Sequence, residues 1–174
     1  ARFPERVRTL TLTNCEVHDL WPTAMLEPFF AALKSGAVVE SLKAMAGDAA
    51  MAQQLFAPTY EDSTTLDAES CAVYFKPIGT PAERAECLRG FGDALKNRDQ
   101  MVELAPRLRA LKAPAQVIWG DADTAFDTAA SLKWLRENLG GVRRIVSVPR
   151  AKLFFPEEHP RLLATLLREF WENN

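Results

Sequence analysis

The sequence predicts an α/β fold, with three parallel strands, flanking helices and a long helical insertion between the first two strands. Three observations carry that expectation. Short apolar runs rich in β-branched residues stand at residues 7–14, 115–120 and 143–148, the pattern of strands covered on both faces. Helical periodicity follows the second and the third run. From Pro22 to Lys112 strand signals are weak and amphipathic helical stretches repeat.

The first run is "VRTLTLTN", Val7 to Asn14, the second "AQVIWG", Ala115 to Gly120, and the third "RRIVSV", Arg143 to Val148. Between the last two, Thr128 to Leu139 puts Ala129, Leu132 and Leu135 on one helical face, and Gly140-Gly141 is placed to end it. In "HPRLLATLLREFWENN" Leu162, Leu163, Leu166, Leu167 and Phe170 recur at helical spacing, and Pro160 suits a first turn. Strand–helix–strand–helix order implies a parallel sheet with right-handed crossovers.

The middle of the chain offers helices at Ala24–Leu33, Val38–Ala46, Ala49–Leu55, Asp67–Tyr74, Pro81–Leu95 and Arg98–Leu111. Pro58, Pro77-Ile78-Gly79 and Pro106 punctuate them. An insertion of this size is too long for an ordinary connection and reads as a lid or cap. Residues 1–21 and 113–174 are then the core, and residues 22–112 the cap with a return helix to that core.

The 174 residues, 48% hydrophobic, supply one cored domain. A net charge of −2, with Arg143-Arg144 the longest basic cluster, argues against a nucleic-acid partner. No apolar run approaches the roughly 20 residues that span a bilayer, and no signal peptide is visible. A soluble, cytoplasmic protein without a membrane partner is expected. Cys15, Cys71 and Cys87 are odd in number and lack a CxxC pair, which fits a reducing compartment and three small buried side chains. The chain opens without Met on what reads as a helix tail, so an N-terminal half is expected before it.

"LKAPAQVIWGDADTAF" followed by "VPRAKLFFPEEHPRLLATLLREFW" resembles the C-terminal part of the α/β-hydrolase fold. The family's Leu-x-x-Pro lead, apolar strand and Gly-x-x-Asp fall on Leu111, Pro114, Val117-Ile118-Trp119, Gly120 and Asp123. "FPERVRTLTLTN" is similar to the segment leading into the sixth strand, and the insertion stands where cap-bearing members carry their cap. Those members include haloalkane dehalogenases and epoxide hydrolases. The resemblance implies a partial α/β-hydrolase fold without cofactor or metal, acting on a small apolar ester, haloalkane or epoxide. The implied reaction is nucleophilic attack, a covalent intermediate, then hydrolysis by activated water.

The same resemblance implies the acid position at Asp123 and an alternative acid position at Glu16, in "TNCEVHDLWP". Such a carboxylate orients a histidine. Where the family reads Gly-x-Gly-His-Phe, this chain reads Arg150-Ala151-Lys152-Leu153-Phe154, and leucine neither accepts nor donates a proton. The nucleophile, a Ser or Asp on a strand-to-helix elbow, would lie before Ala1, which makes the missing half of the fold a partner.

Each residue also has a plainer reading. Asp123 and Asp121 suit a turn, Asp127 a helix cap, and Glu16 a solvated loop. His18 reads as a surface histidine, its functional alternative being a place at the mouth of a pocket, and His159, six positions beyond Leu153, as a helix-start residue whose basicity the dipole lowers, its functional alternative being a substitute base. Two histidines so far apart give no metal signal. Trp21, Phe29, Phe30, Phe56, Tyr60, Tyr74, Phe75 and Phe91 read mostly as core between cap helices, with a few lining an apolar chamber. The alternative to a hydrolase is a non-catalytic ligand-binding protein on the same scaffold, and a third reading is hydrolysis with an unusual base.

Overall fold

Ala115–Gly120 is a run of six buried residues, and such a strand needs hydrogen-bonded neighbours at both edges and cover on both faces. The computed structural model, which describes residues 3–79, 82–95 and 97–174, supplies both. The strands are β1 (Leu10–Thr13), β2 (Ala115–Gly120) and β3 (Val142–Val148), parallel in the order β1-β2-β3. The insertion carries α1 (Glu27–Ser35), α2 (Ala37–Met45), α3 (Ala49–Phe56), α4 (Ala68–Tyr74), α5 (Lys76–Gly79) and α6 (Ala82–Leu95). Then come α7 (Arg98–Glu103) and α8 (Ala105–Arg109) before β2, α9 (Thr128–Asn138) after it, and α10 (Phe155–Glu158) and α11 (Pro160–Glu172) after β3. Ala1, Arg2 and Pro81, parts of the expected helix tail and of one expected helix start, lie outside the described residues.

The chain divides into two compact units. One holds the chain up to Trp21 together with Thr59–Glu61 and Arg98–Asn174; the other holds Pro22–Pro58 and Asp62–Asn97. In the first, side-chain alternation along β2 splits the core. Val117 and Trp119 pack with Val17, Leu111, Leu135 and Leu139 on the α9 side. Ile118 packs with Val148, Ala151 and Phe155, against Leu163 and Leu166 of α11. The second unit buries Phe30, Leu33, Val39, Leu42, Met45, Leu66 and Phe75 among its own helices, with Phe56 stacked on Phe75 at 5.7 Å. Asp48 and Asp67 cap α3 and α4, and Asp127 caps α9 as its position suggests, each cap stabilising by about 1 kcal/mol.

A polar rung crosses the sheet. Buried Gln116 donates to Thr11 Oγ1 (3.0 Å) and accepts from Arg144 Nε (2.8 Å). Arg144 continues to Glu169 (3.3 Å) and to the Leu166 carbonyl on α11. At the opposite end of the α9–β3 connection Gly141 has φ +73°, and a Cβ there would lie 2.2 Å from the Ala113 carbonyl oxygen. Only glycine accommodates both.

Several boundaries differ from expectation for identifiable reasons. β1 begins at Leu10 rather than Val7, because Leu10 pairs with Ala115, the first residue of β2, leaving Val7–Thr9 no strand residue opposite. The helix expected over Arg98–Leu111 breaks at Leu104, since Pro106 lacks the N–H that would bond Val102. Pro77 does not interrupt: it sits in the first turn of α5, where no donor is needed. Ala129 is exposed, and Ser131 takes the buried place on α9. Cys71 is buried, but Cys15 is only half-buried and Cys87 exposed. Among the aromatics Phe29, Tyr74 and Phe91 are exposed rather than core, and Trp21 and Tyr60 belong to the unit that holds the sheet.

Gln116→Leu leaves Thr11 and the Arg144 Nε–H without their partner inside the sheet. Equilibrium urea unfolding should show a loss of about 1–3 kcal/mol with an unchanged denaturant slope.

Candidate functional site

The β1–β2 ladder ends at Thr13 and Ile118, while β2–β3 continues to Gly120 and Val148. The gap opposite Gly120 is filled by the side chain of Asn14. Its Oδ1 accepts from Gly120 N–H (2.8 Å), and its Nδ2 donates to the Gly120 carbonyl (3.3 Å). The same Nδ2 donates to Asp123 Oδ2 at 2.6 Å. Asp123 Oδ1 accepts from Ala125 N–H at 2.8 Å. Both side chains are buried, and the Gly120 contacts fix which way the Asn14 amide points.

The loops after β2 and β3 are tied together just beyond. Asp121 N–H donates to the Val148 carbonyl, Ala122 N–H to the Ala151 carbonyl (3.0 Å), and Arg150 N–H to Asp121 Oδ1 (2.8 Å). Gly120 permits this approach, for a Cβ there would sit 2.4 Å from the Ala151 oxygen. Asp121 is thus a turn residue that reaches the next loop. Asp123, Leu153 and Glu16 each follow the carboxyl end of a different parallel strand. Asp123 is held against the end of β1 through Asn14, and Leu153 is half-buried in the loop that covers Gly120. Glu16 is half-buried and is not a member of the Asn14–Gly120–Asp123 network. Burial, helped by the Glu16 charge, pushes the Cys15 thiol up to about 12, so it is not a nucleophile near neutrality.

The two histidines are both engaged. His18 is no surface histidine. Its ring stacks on Trp134 of α9 at 4.8 Å, and its Nδ1 lies 2.9 Å from Asp19 Oδ1. That hydrogen bond, with the His18 charge and Arg98 at 3.6 Å, holds the Asp19 carboxyl below its usual value. His159 Nε2 lies 3.1 Å from Glu61 Oε2, and Glu61 Oε1 accepts from Arg150 Nε at 2.8 Å. Arg150 first, then His159, hold the Glu61 carboxyl below the ordinary range. The strip Thr59–Glu61 is clasped further: Phe154 N–H donates to the Thr59 carbonyl (3.1 Å), Tyr60 Oη–H to Glu157 (2.8 Å), and Glu61 N–H to Glu158 (3.0 Å).

Asn14, Glu61 and Arg150 were not singled out by sequence reasoning. Arg150 left a trace, since it stands where the resembled motif has a glycine, and its φ is +63°, a region non-glycine residues seldom adopt. Asn14 and Glu61 left none, because their partners are about a hundred residues away in sequence. Among the described residues no group of three or more His, Cys, Asp or Glu side chains is placed to hold a metal ion. No described helix is long and apolar enough to cross a membrane.

Asp123→Asn sets an amide donor against either Asn14 Nδ2 or Ala125 N–H, and Asn14 cannot flip without losing Gly120. Thermal and urea unfolding should show a loss of about 1–3 kcal/mol, whereas the same change at exposed Asp121 should cost less than about 1 kcal/mol.

No family model matches the chain, and no curated protein matches it. Solved structures do. A mutant of potato epoxide hydrolase superposes with a TM-score of 0.70 at 13% identity, over 99% of this chain and 64% of that one. The haloalkane dehalogenase DatA of Agrobacterium tumefaciens gives 0.72 at 16% identity, over 99% and 60%. A serine hydrolase of the polyaromatic-hydrocarbon-degrading bacterium Cycloclasticus zankles gives 0.71 at 15%, over 98% and 57%. The chain spans about three fifths of the length of these structures. At such identities what is shared is the architecture: three parallel strands, flanking helices and a large helical insertion. Over the part it spans, this chain has the α/β-hydrolase fold.

Proposed function

We propose that the chain serves hydrolysis of a small apolar substrate, of the ester, haloalkane or epoxide class. The observation that supports this reading best is Asp123, a buried carboxylate beyond the carboxyl end of the central strand, where open α/β sheets gather their ligand-contacting groups. Asp123 is read as the acid position, Glu16 as its alternative and His159 as the base in place of Leu153. The helical unit is read as the cap. The nucleophile is assigned to a partner segment that completes the fold, since the similar structures extend beyond what this chain covers. A cytoplasmic location is proposed on the three free thiols.

A second reading, ligand binding without turnover, is favoured by a specific observation. Each Asp123 oxygen already accepts one structural hydrogen bond, from Asn14 and Ala125, and Leu153 stands at the usual histidine position. The two readings separate on assays with simple ester, haloalkane and epoxide substrates. The chain alone should show no turnover and should self-associate on size-exclusion chromatography, because β1 pairs on one side only among the described residues. Produced together with the polypeptide encoded upstream, it should turn over one of the three classes. Substrate binding without turnover in that assembly would establish the second reading. A monomeric, active 174-residue chain would show that the nucleophile has been assigned to the wrong segment.

A further inference from the structure

We propose that His159 is the proton-carrying imidazole of this protein, with Glu61 as its positioning residue and Arg150 holding Glu61 in turn. The inference rests on the hydrolase reading and specifies how proton transfer survives the leucine at position 153. Of the two histidines, His18 is pinned flat against Trp134 on the α9 flank and tied to Asp19. His159 instead opens α11 beside the loop that covers the carboxyl end of β2. Its backbone is fixed on both sides, N–H to the Phe155 carbonyl (2.8 Å) and C=O from Leu163 N–H (3.0 Å). Its ring remains about a third exposed, at 37%.

The hydrogen bonds determine which nitrogen is basic. An ionised carboxylate accepts only, and Arg150 keeps Glu61 ionised. Nε2 therefore carries the hydrogen that Glu61 receives, and the lone pair of the neutral ring sits on Nδ1. A carboxylate fixes tautomer and orientation in this way in catalytic and metal-binding histidines alike. Here the orienting group comes from the Thr59–Glu61 strip, which Thr59, Tyr60 and Glu61 anchor to residues 150–159 at five points. Among the charged groups at that strip, Arg150 and Glu158 bond Glu61, and Glu157 bonds Tyr60.

In the second half of ester hydrolysis, on an acyl group carried by a serine nucleophile of the partner segment, Nδ1 takes a proton from water as the water oxygen bonds to the acyl carbonyl carbon. The bond from that carbon to the serine oxygen then breaks, the oxygen leaves with the electron pair, and His159 returns the proton to it. The acid product loses its own proton to solvent. Each turnover leaves His159 as it began, and Glu61 does not change its protonation.

The experiment has two arms. In the first, the chain is treated with diethyl pyrocarbonate, and labelling of each histidine is followed by mass spectrometry. His159 should label faster than His18, and Glu61→Gln should slow His159 by about 3-fold or more while His18 keeps its rate. In the second, hydrolysis by the co-produced assembly should be abolished by His159→Gln, and Glu61→Gln should lower kcat by about 10-fold or more with KM little changed. Hydrolysis that survives His159→Gln, or labelling of His159 that ignores Glu61, overturns the proposal. Glu61-dependent labelling in an assembly without turnover would refute the hydrolase reading and leave the oriented imidazole standing.

Discussion

The carboxyl edge of the sheet depends on one side chain reading one backbone unit. Asn14 takes both the N–H and the carbonyl of Gly120, which extends the β1–β2 ladder by a rung after β1 has ended. That double contact orients the Asn14 amide, the amide presents Nδ2 to Asp123, and Asp123 in turn fixes Ala125. Gly120 is also the point where the loop after β3 comes nearest. Three strand ends are thus held at one residue with no side chain. Any group larger than hydrogen there would displace the Ala151 turn, and with it the backbone that carries Leu153.

The Glu61 cluster depends on a different constraint, an arginine in a left-handed backbone conformation. Arg150 has its N–H on Asp121 and its guanidinium on Glu61, and two acceptors offset the conformational cost of about 1 kcal/mol or more. A glycine would adopt the turn more readily and contribute neither ion pair nor orientation.

Much of the scaffold was legible in the sequence. β2 needed no neighbours to be recognised, because a short, mostly apolar run that follows Pro114 and ends on Gly120 has few other fates. The cap of α9 by Asp127 and the turn at Gly141 are local, and local chemistry is what a sequence displays. The start of β1 was not legible, since pairing and not composition decides where a strand begins. The exposure of Phe91 and Tyr74 was hidden for the same reason: periodicity identifies an apolar face, and only the fold says whether anything covers it. Asp123 could be located by its motif, but its partners could not, since Asn14 is 109 residues away.

That sequence separation also carries an entropic cost. The rung through Gln116 spans 28 residues to Arg144 but 105 to Thr11. Loop-closure entropy makes the longer closure about 1 kcal/mol more costly, and distant pairings form slowly. The parallel β2–α9–β3 unit therefore needs only the shorter closure, which leaves one edge of β2 for β1. β1, which carries Asn14, makes the long-range pairing. The contact that fixes Asp123 thus belongs to the longest closures in the sheet, where the loop-closure cost is highest.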